Sequence, residues 1–253
     1  MLKKRIIPVL LLKDNRMVKG VNFKNYKDTG EPKTAVRIYS AQDADELVFL
    51  NINGNGESHN HLINVIKIAS EECFMPLSAG GGIRKIEEAR DLIKAGADKV
   101  VLNTSTLEKP YLVSQIADKF GEQCIVGSID YKKENNKRYV WIKSGTLNTK
   151  LDPIEHALNL VNEGVGEILL NSIDKDGMMQ GYDLEYAKIF SKEIPVPVII
   201  CGGAGNFIHL AELLSETEAS AAACASLFHF GDNSPIRARS YLRNLEIPMR
   251  ILK

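Results

Sequence analysis

Eight short runs rich in Val, Ile and Leu recur along the chain, each followed by a polar turn and a segment of helical spacing. They are Arg5 to Leu11, Glu46 to Ile52, Met75 to Ala79, Lys99 to Asn103, Gln123 to Asp130, Glu167 to Ser172, Val196 to Cys201 and Ala219 to Cys224. Runs apolar on both faces are what a parallel sheet covered by helices requires. Eight such units in 253 residues favour closure into a (β/α)8 TIM barrel over an open doubly wound sheet. Two pieces fall outside the repeat: a loop at Lys13 to Thr29 and a polar excursion at Tyr131 to Lys150 that suits a hairpin. The halves echo one another at an offset of roughly 121 positions, as in a duplicated half-barrel: Ala44 to Leu50 answers Val165 to Asn171, and Pro76 with Gly80-Gly81-Gly82 answers Pro197 with Gly202-Gly203. With no linker in view, residues 1–253 are expected to form one domain.

Composition narrows the function classes. Thirty-two basic residues offset thirty-two acidic ones, so no overall field favours nucleic acid or an anionic membrane. The longest apolar stretches, such as Ile6 to Leu12, fall short of the roughly 20 residues a spanning helix needs. Met1 to Ile6 runs straight into a strand without a small-residue cleavage site, so a cytoplasmic protein is expected. Cys73, Cys124, Cys201 and Cys224 are far apart with no CxxC pair, which favours buried free thiols over a metal site or disulfides. His59 and His61 lack matching ligands, and no metal or cofactor is expected.

Three constellations carry chemistry. Gly80-Gly81-Gly82 and Gly202-Gly203 follow strands, where backbone N–H groups can close on an anion; one strand further on, Asn103-Thr104-Ser105-Thr106 and Ala225-Ser226 offer hydroxyls and amides to the same two places. Glycines also serve tight turns, but their repetition in register suits a long substrate with a phosphate at each end. At the opposite end, Arg5, Glu46, Lys99 and Glu167 open the first, second, fourth and sixth strands with inward parity, which alternation carries on to Leu11, Leu50, Asn103 and Asn171. Two cations and two anions make a neutral ring, in the simplest case a salt-bridge plug below the apolar Val9, Val48, Val101 and Leu169. Asp130 ends an otherwise apolar strand at the rim where barrel enzymes work, as a candidate general acid or base. Asp174 and Asp176 follow the sixth strand, where a turn-forming or capping role competes. Lys19 belongs to the long first loop, as the cationic tip of a lid or as a solvated lysine.

Together, Arg5-Ile6-Ile7-Pro8, Lys19-Gly20-Val21-Asn22-Phe23, Ala44-Asp45-Glu46-Leu47, Gly80-Gly81-Gly82-Ile83-Arg84, Ala97-Asp98-Lys99-Val100, Gln123-Cys124-Ile125-Val126, Asp174-Lys175-Asp176-Gly177 and Phe228-His229-Phe230 resemble the cyclase subunit of imidazole glycerol phosphate synthase over nearly the whole chain. The resemblance implies a glutaminase partner at the N-terminal face, where Asp98 would meet it, and a gate of Arg5, Glu46, Lys99 and Glu167 admitting ammonia to a channel through the barrel. It assigns phosphate ligands to Gly82, Asn103, Thr104, Asp176, Gly177, Gly203, Ala225 and Ser226, keeps Lys19 in its loop, and makes Asp130 one of two acid–base aspartates. The other is replaced by Leu11, and Asn51 and Asn171 stand where the family usually has aspartate and threonine.

Leucine transfers no proton, and general acid–base help is worth roughly 10² to 10⁴ in rate. The expectation is therefore an ammonia-channelling barrel with diverged acceptor chemistry, resembling a branch that works with a sugar amidotransferase in building bacterial surface polysaccharides such as lipopolysaccharide. The alternatives are an ordinary cyclase of histidine biosynthesis and a scaffold that binds a phosphorylated ligand and activates the glutaminase.

Overall fold

The computed structural model describes residues 3–53, 56–109 and 111–250; Met1 and Leu2, read above as leading into the first strand, lie outside them. In chain order the strands are β1 (Arg5–Lys13), β2 (Arg16–Val21), β3 (Lys24–Gly30), β4 (Leu47–Asn51), β5 (Leu77–Gly80), β6 (Lys99–Leu102), β7 (Ile125–Glu134), β8 (Lys137–Ile142), β9 (Leu147–Asn148), β10 (Glu167–Ser172), β11 (Val198–Cys201) and β12 (Ala221–Cys224). Eight of them, β1, β4, β5, β6, β7, β10, β11 and β12, pair in parallel, and the β12–β1 pairing closes the barrel. The helices that return the chain are α1 (Pro32–Ala41), α2 (Gly56–Glu72), α3 (Ile86–Lys94), α5 (Leu112–Phe120), α6 (Pro153–Asn162), α7 (Leu184–Glu193), α8 (Phe207–Glu216) and α10 (Pro235–Asn244), with the short α4 (Thr104–Glu108) and α9 (Ser226–His229) at the C-terminal rim.

Alternation along the strands divides the core in two. Outward residues such as Ile6, Leu10, Leu47 and Phe49 pack under the helices, while inward Ile7, Val9, Val48, Val101, Val126, Leu169 and Ile199 fill the barrel itself. Branched side chains in such layers make the interior a packed core. The inward parity inferred for Leu11 and Leu50 holds, since both pack on that inner layer.

Several boundaries differ from the sequence reading. β5 and β11 begin just after Pro76 and Pro197, which have no N–H to give a ladder. β12 begins at Ala221, two residues later than expected, and β7 begins at Ile125 because Glu122–Cys124 form a 3₁₀ turn. Cys124 is therefore half-buried in that turn and not inside the strand; Cys73, Cys201 and Cys224 are buried, and all four thiols are free.

The larger correction concerns Lys13 to Thr29, which is an antiparallel ribbon and not a loop. β1 runs on to Lys13, β2 folds back on it and β3 on β2. The turn is Asn22–Phe23, both left-handed (φ 49° and 61°), the geometry that matches the twist of a tight hairpin. The Tyr131 to Lys150 excursion is a hairpin as expected, β7 continuing into β8 through Asn135–Asn136. Among the described residues no helix is long and apolar enough to cross a membrane.

Candidate functional site

At the N-terminal end of the barrel the four inward charges form a closed ring. Arg5 pairs with Glu46 at 3.0 Å and with Glu167, and Lys99 pairs with Glu46 at 3.2 Å and Glu167 at 2.7 Å. Ser78 adds a hydroxyl to Glu46 at 2.6 Å, and Arg5 donates to Ser220 at 3.0 Å. Burial works to raise the Glu167 carboxyl, but Arg5 and Lys99 overcome it and hold its pKa below the usual value. Each acid touches both bases, so the desolvation cost of two buried carboxylates and two half-buried cations is offset by pairing on both sides. Val9, Val48, Val101 and Leu169 lie above the ring in the inner layer. Asp98 is exposed, and its carboxylate accepts the Leu77 N–H at 2.8 Å. Phe74, in the same α2–β5 connection as Met75, is fully exposed.

At the C-terminal end a cavity of about 460 Å³ opens between Leu11, Tyr26, Gly81, Gly82, Asn103 and Asp130. Gly81 is left-handed (φ 99°), and a Cβ there would strike the Asn51 carbonyl oxygen, so the close turn admits only glycine. Gly82, Asn103 and Thr104, assigned together to one phosphate, do come together in this cavity. The Thr104 hydroxyl accepts the Lys143 N–H at 3.0 Å, and the Lys143 ammonium meets Glu108 at 2.9 Å. The β8–β9 turn thus brings a cation to this half of the site, which sequence reasoning missed because the excursion's direction was open.

Asp130 sits at the centre. Asn103 donates to one carboxylate oxygen at 2.9 Å and Asn171 to the other at 3.2 Å. Burial nevertheless dominates and lifts its pKa to about 7, with the two amides pulling the other way. The Asn171 side-chain oxygen is buried without a hydrogen-bond partner. Leu11 is half-buried in the same cavity and presents only methyl groups to it.

The second cradle gathers Gly203, Ala225 and Ser226, which the echo of the two halves points to, with Gly177, which the resemblance adds. The backbone repeats as well: Gly202 and Gly203 (φ 96° and 116°) match Gly81 and Gly82 (φ 99° and 79°). This cradle has only about 10 Å³ of free space, because Lys19 and Asp176 lie in it. The Lys19 ammonium is 2.8 Å from both Asp176 oxygens and donates to the Gly20 carbonyl at 2.9 Å. Lys19 is therefore neither a solvated lysine nor a cationic tip in solvent; it is buried (3% exposed). Burial raises the Asp176 carboxyl, and Lys19 counters it. The Asn22 side chain donates to the carbonyls of Ile173 and Asp174 at 2.9 Å, which clasps the ribbon onto the β10 loop. Asp174 is exposed, and its carboxylate accepts the Lys133 N–H of β7 at 2.8 Å. Among the described residues no group of three or more His, Cys, Asp or Glu is placed to hold a metal ion.

Comparison with known proteins agrees with this architecture. The histidine biosynthesis protein family model matches residues 5–234. A protein of Hydrogenobaculum sp. (strain Y04AAS1) described as imidazole glycerol phosphate synthase subunit HisF is 45% identical over 252 residues, covering 99% of this chain and 100% of its own. Proteins of the same description from Caulobacter vibrioides (strain NA1000 / CB15N) and Clostridium botulinum (strain 657 / Type Ba4) are 45% and 43% identical, with 99% of this chain covered and 97% and 100% of theirs. With the barrel, the family match and this identity over nearly the full length, the chain belongs to the histidine biosynthesis protein family.

Proposed function

We propose that the barrel is the ammonia-using, cyclase-type subunit of a glutamine amidotransferase complex, with a glutaminase on its N-terminal face and a phosphorylated ligand at its C-terminal rim. The carrying observation is the pairing of a closed charge ring at one end with two glycine cradles flanking Asp130 at the other. Arg5, Glu46, Lys99 and Glu167 are the gate, Asp98 faces the partner, and Gly82, Asn103, Thr104, Asp176, Gly177, Gly203, Ala225, Ser226 and Lys19 hold the ligand's phosphates. Asp130, with a pKa of about 7, is part carboxylate at neutral pH and can take a proton from ammonia's nitrogen as it bonds to the acceptor. The relatives' printed name supports imidazole glycerol phosphate synthase chemistry, in which a phosphoribulosyl formimino aminoimidazole carboxamide ribonucleotide and ammonia give imidazole glycerol phosphate and the carboxamide ribotide. The test is turnover of that ribonucleotide with ammonium salt: a rate in the ordinary enzymic range, of about 1 s⁻¹ or more, supports the ring-closing reaction.

A second reading is favoured by Leu11. A site with methyl groups in place of a β1 carboxylate suits a different acceptor, and an ammonia-channelling barrel serving a separate sugar amidotransferase in surface-polysaccharide synthesis fits that change. Under this reading ring closure is slower by about 10² to 10⁴, and Leu11→Asp recovers part of it. Turnover unaltered or lowered by Leu11→Asp favours the first reading.

A further inference from the structure

The cavity around Asp130 is also lined by a phenol that the family assignment leaves unused. Tyr26, on β3 of the ribbon, lines the same space as Leu11 and Asp130 and is half-buried there. Its position is set by packing. A Cβ on Gly20 would come within 3.0 Å of the Tyr26 ring, so the glycine lets the ring lie down on β2, and the Lys13 ammonium stands 5.4 Å from the ring centroid. The other titratable groups lining the cavity lie towards its proposed phosphate-binding half: Arg84 stands two residues beyond Gly82, and Glu108 is paired with Lys143. Among the described lining residues that leaves Tyr26 and Asp130 as the two titratable groups outside that half.

We propose that the Tyr26 phenol is a catalytic hydrogen-bond donor of this site, occupying with the ribbon the side of the pocket where Leu11 offers nothing. The inference rests on the reading that ammonia adds to an acceptor beside Asp130. As the nitrogen lone pair forms the new bond to the acceptor carbon, the π electrons of that carbon move to its doubly bonded heteroatom. Tyr26 donates to that atom and keeps its proton, while the Asp130 carboxylate takes one proton from the nitrogen. Donation without transfer suits this phenol: burial, then the nearby Asp176 and Asp130 carboxylates, raise its pKa and keep it protonated. A donor aimed at developing charge is worth roughly 10² to 10³ in kcat.

The experiment compares wild type and Tyr26→Phe in the complete complex with the glutaminase, using the ribonucleotide and ammonium salt. The expected result is a kcat lower by about 10² to 10³ with KM changed by less than about threefold, because Phe keeps the ring and its packing. A kcat within about twofold of wild type overturns the proposal. If wild type itself does not turn over the ribonucleotide, the ring-closing reaction has failed and not Tyr26. The readout is then the titration of [¹³Cζ]tyrosine by NMR, with Tyr26→Phe assigning the resonance. Asp130→Asn should lower the Tyr26 transition point by removing a neighbouring negative charge, and an unmoved transition overturns the proposal.

Discussion

Asn171 and Asp130 stand opposite one another across the β7–β10 pairing, and the Asn171 side-chain amide donates to the Asp130 carboxylate at 3.2 Å. With Asn103 on the other oxygen the ionised form has two donors, yet burial outweighs both and the pKa rises to about 7. The folded protein therefore holds this proton at pH values where the unfolded chain, near the ordinary aspartate value, has lost it. Stability contributed by the group is full below about pH 4 and is lost as pH rises through about 7. Asp130→Asn should stabilise the barrel at pH 8 by an amount of order a few kcal/mol and change little at pH 4, as urea unfolding at the two pH values will show. In the same variant the activity that rises with pH through about 7 should disappear.

The charge ring predicts a different response. Arg5 bridges Glu46 and Glu167, so Arg5→Ala leaves both buried acids to share Lys99 as their cation, with Glu46 keeping the Ser78 hydroxyl, and a loss of about 3–5 kcal/mol is expected in urea unfolding at pH 7. Arg5→Lys keeps the charge but not the fork and should fall between the two. A loss below about 1 kcal/mol for Arg5→Ala would mean that water already solvates the ring.

Lys19 and Asp176 make the second cradle sensitive to pH once the pair is broken. In Lys19→Met the Asp176 carboxylate stays buried without its counter-ion, which pushes its pKa further up. The destabilisation should be about 3–5 kcal/mol at pH 8 and shrink as pH falls and the carboxyl takes a proton. Binding of a ligand with phosphates at both ends, followed by calorimetry, should weaken at least tenfold while a ligand with one phosphate, held in the open cradle, keeps most of its affinity.

The barrel was legible because a parallel sheet under helices imposes a pattern that few other folds share, and because the parity of Arg5, Glu46, Lys99 and Glu167 follows from strand alternation alone. Asp130 was legible as a carboxylate closing an apolar strand. The ribbon was not. Its turn is Asn22–Phe23, without the glycine that usually announces a tight hairpin, and β3 is mostly exposed, so no apolar alternation marks it. With the ribbon unread, Tyr26 could not be placed, and Lys19 could not be seen to fold inward on Asp176. Those contacts join residues 157 positions apart, which local pattern does not encode.

Every step at Asp130 depends on ammonia reaching this barrel from a partner. The deciding measurement is glutamine hydrolysis by the cognate glutaminase subunit, alone and with one equivalent of the barrel, alongside sedimentation of the mixture. A one-to-one complex in which hydrolysis rises at least about tenfold, and falls back with Asp98→Ala, is the predicted result. Two species that sediment separately, with hydrolysis unchanged by the barrel, would contradict it.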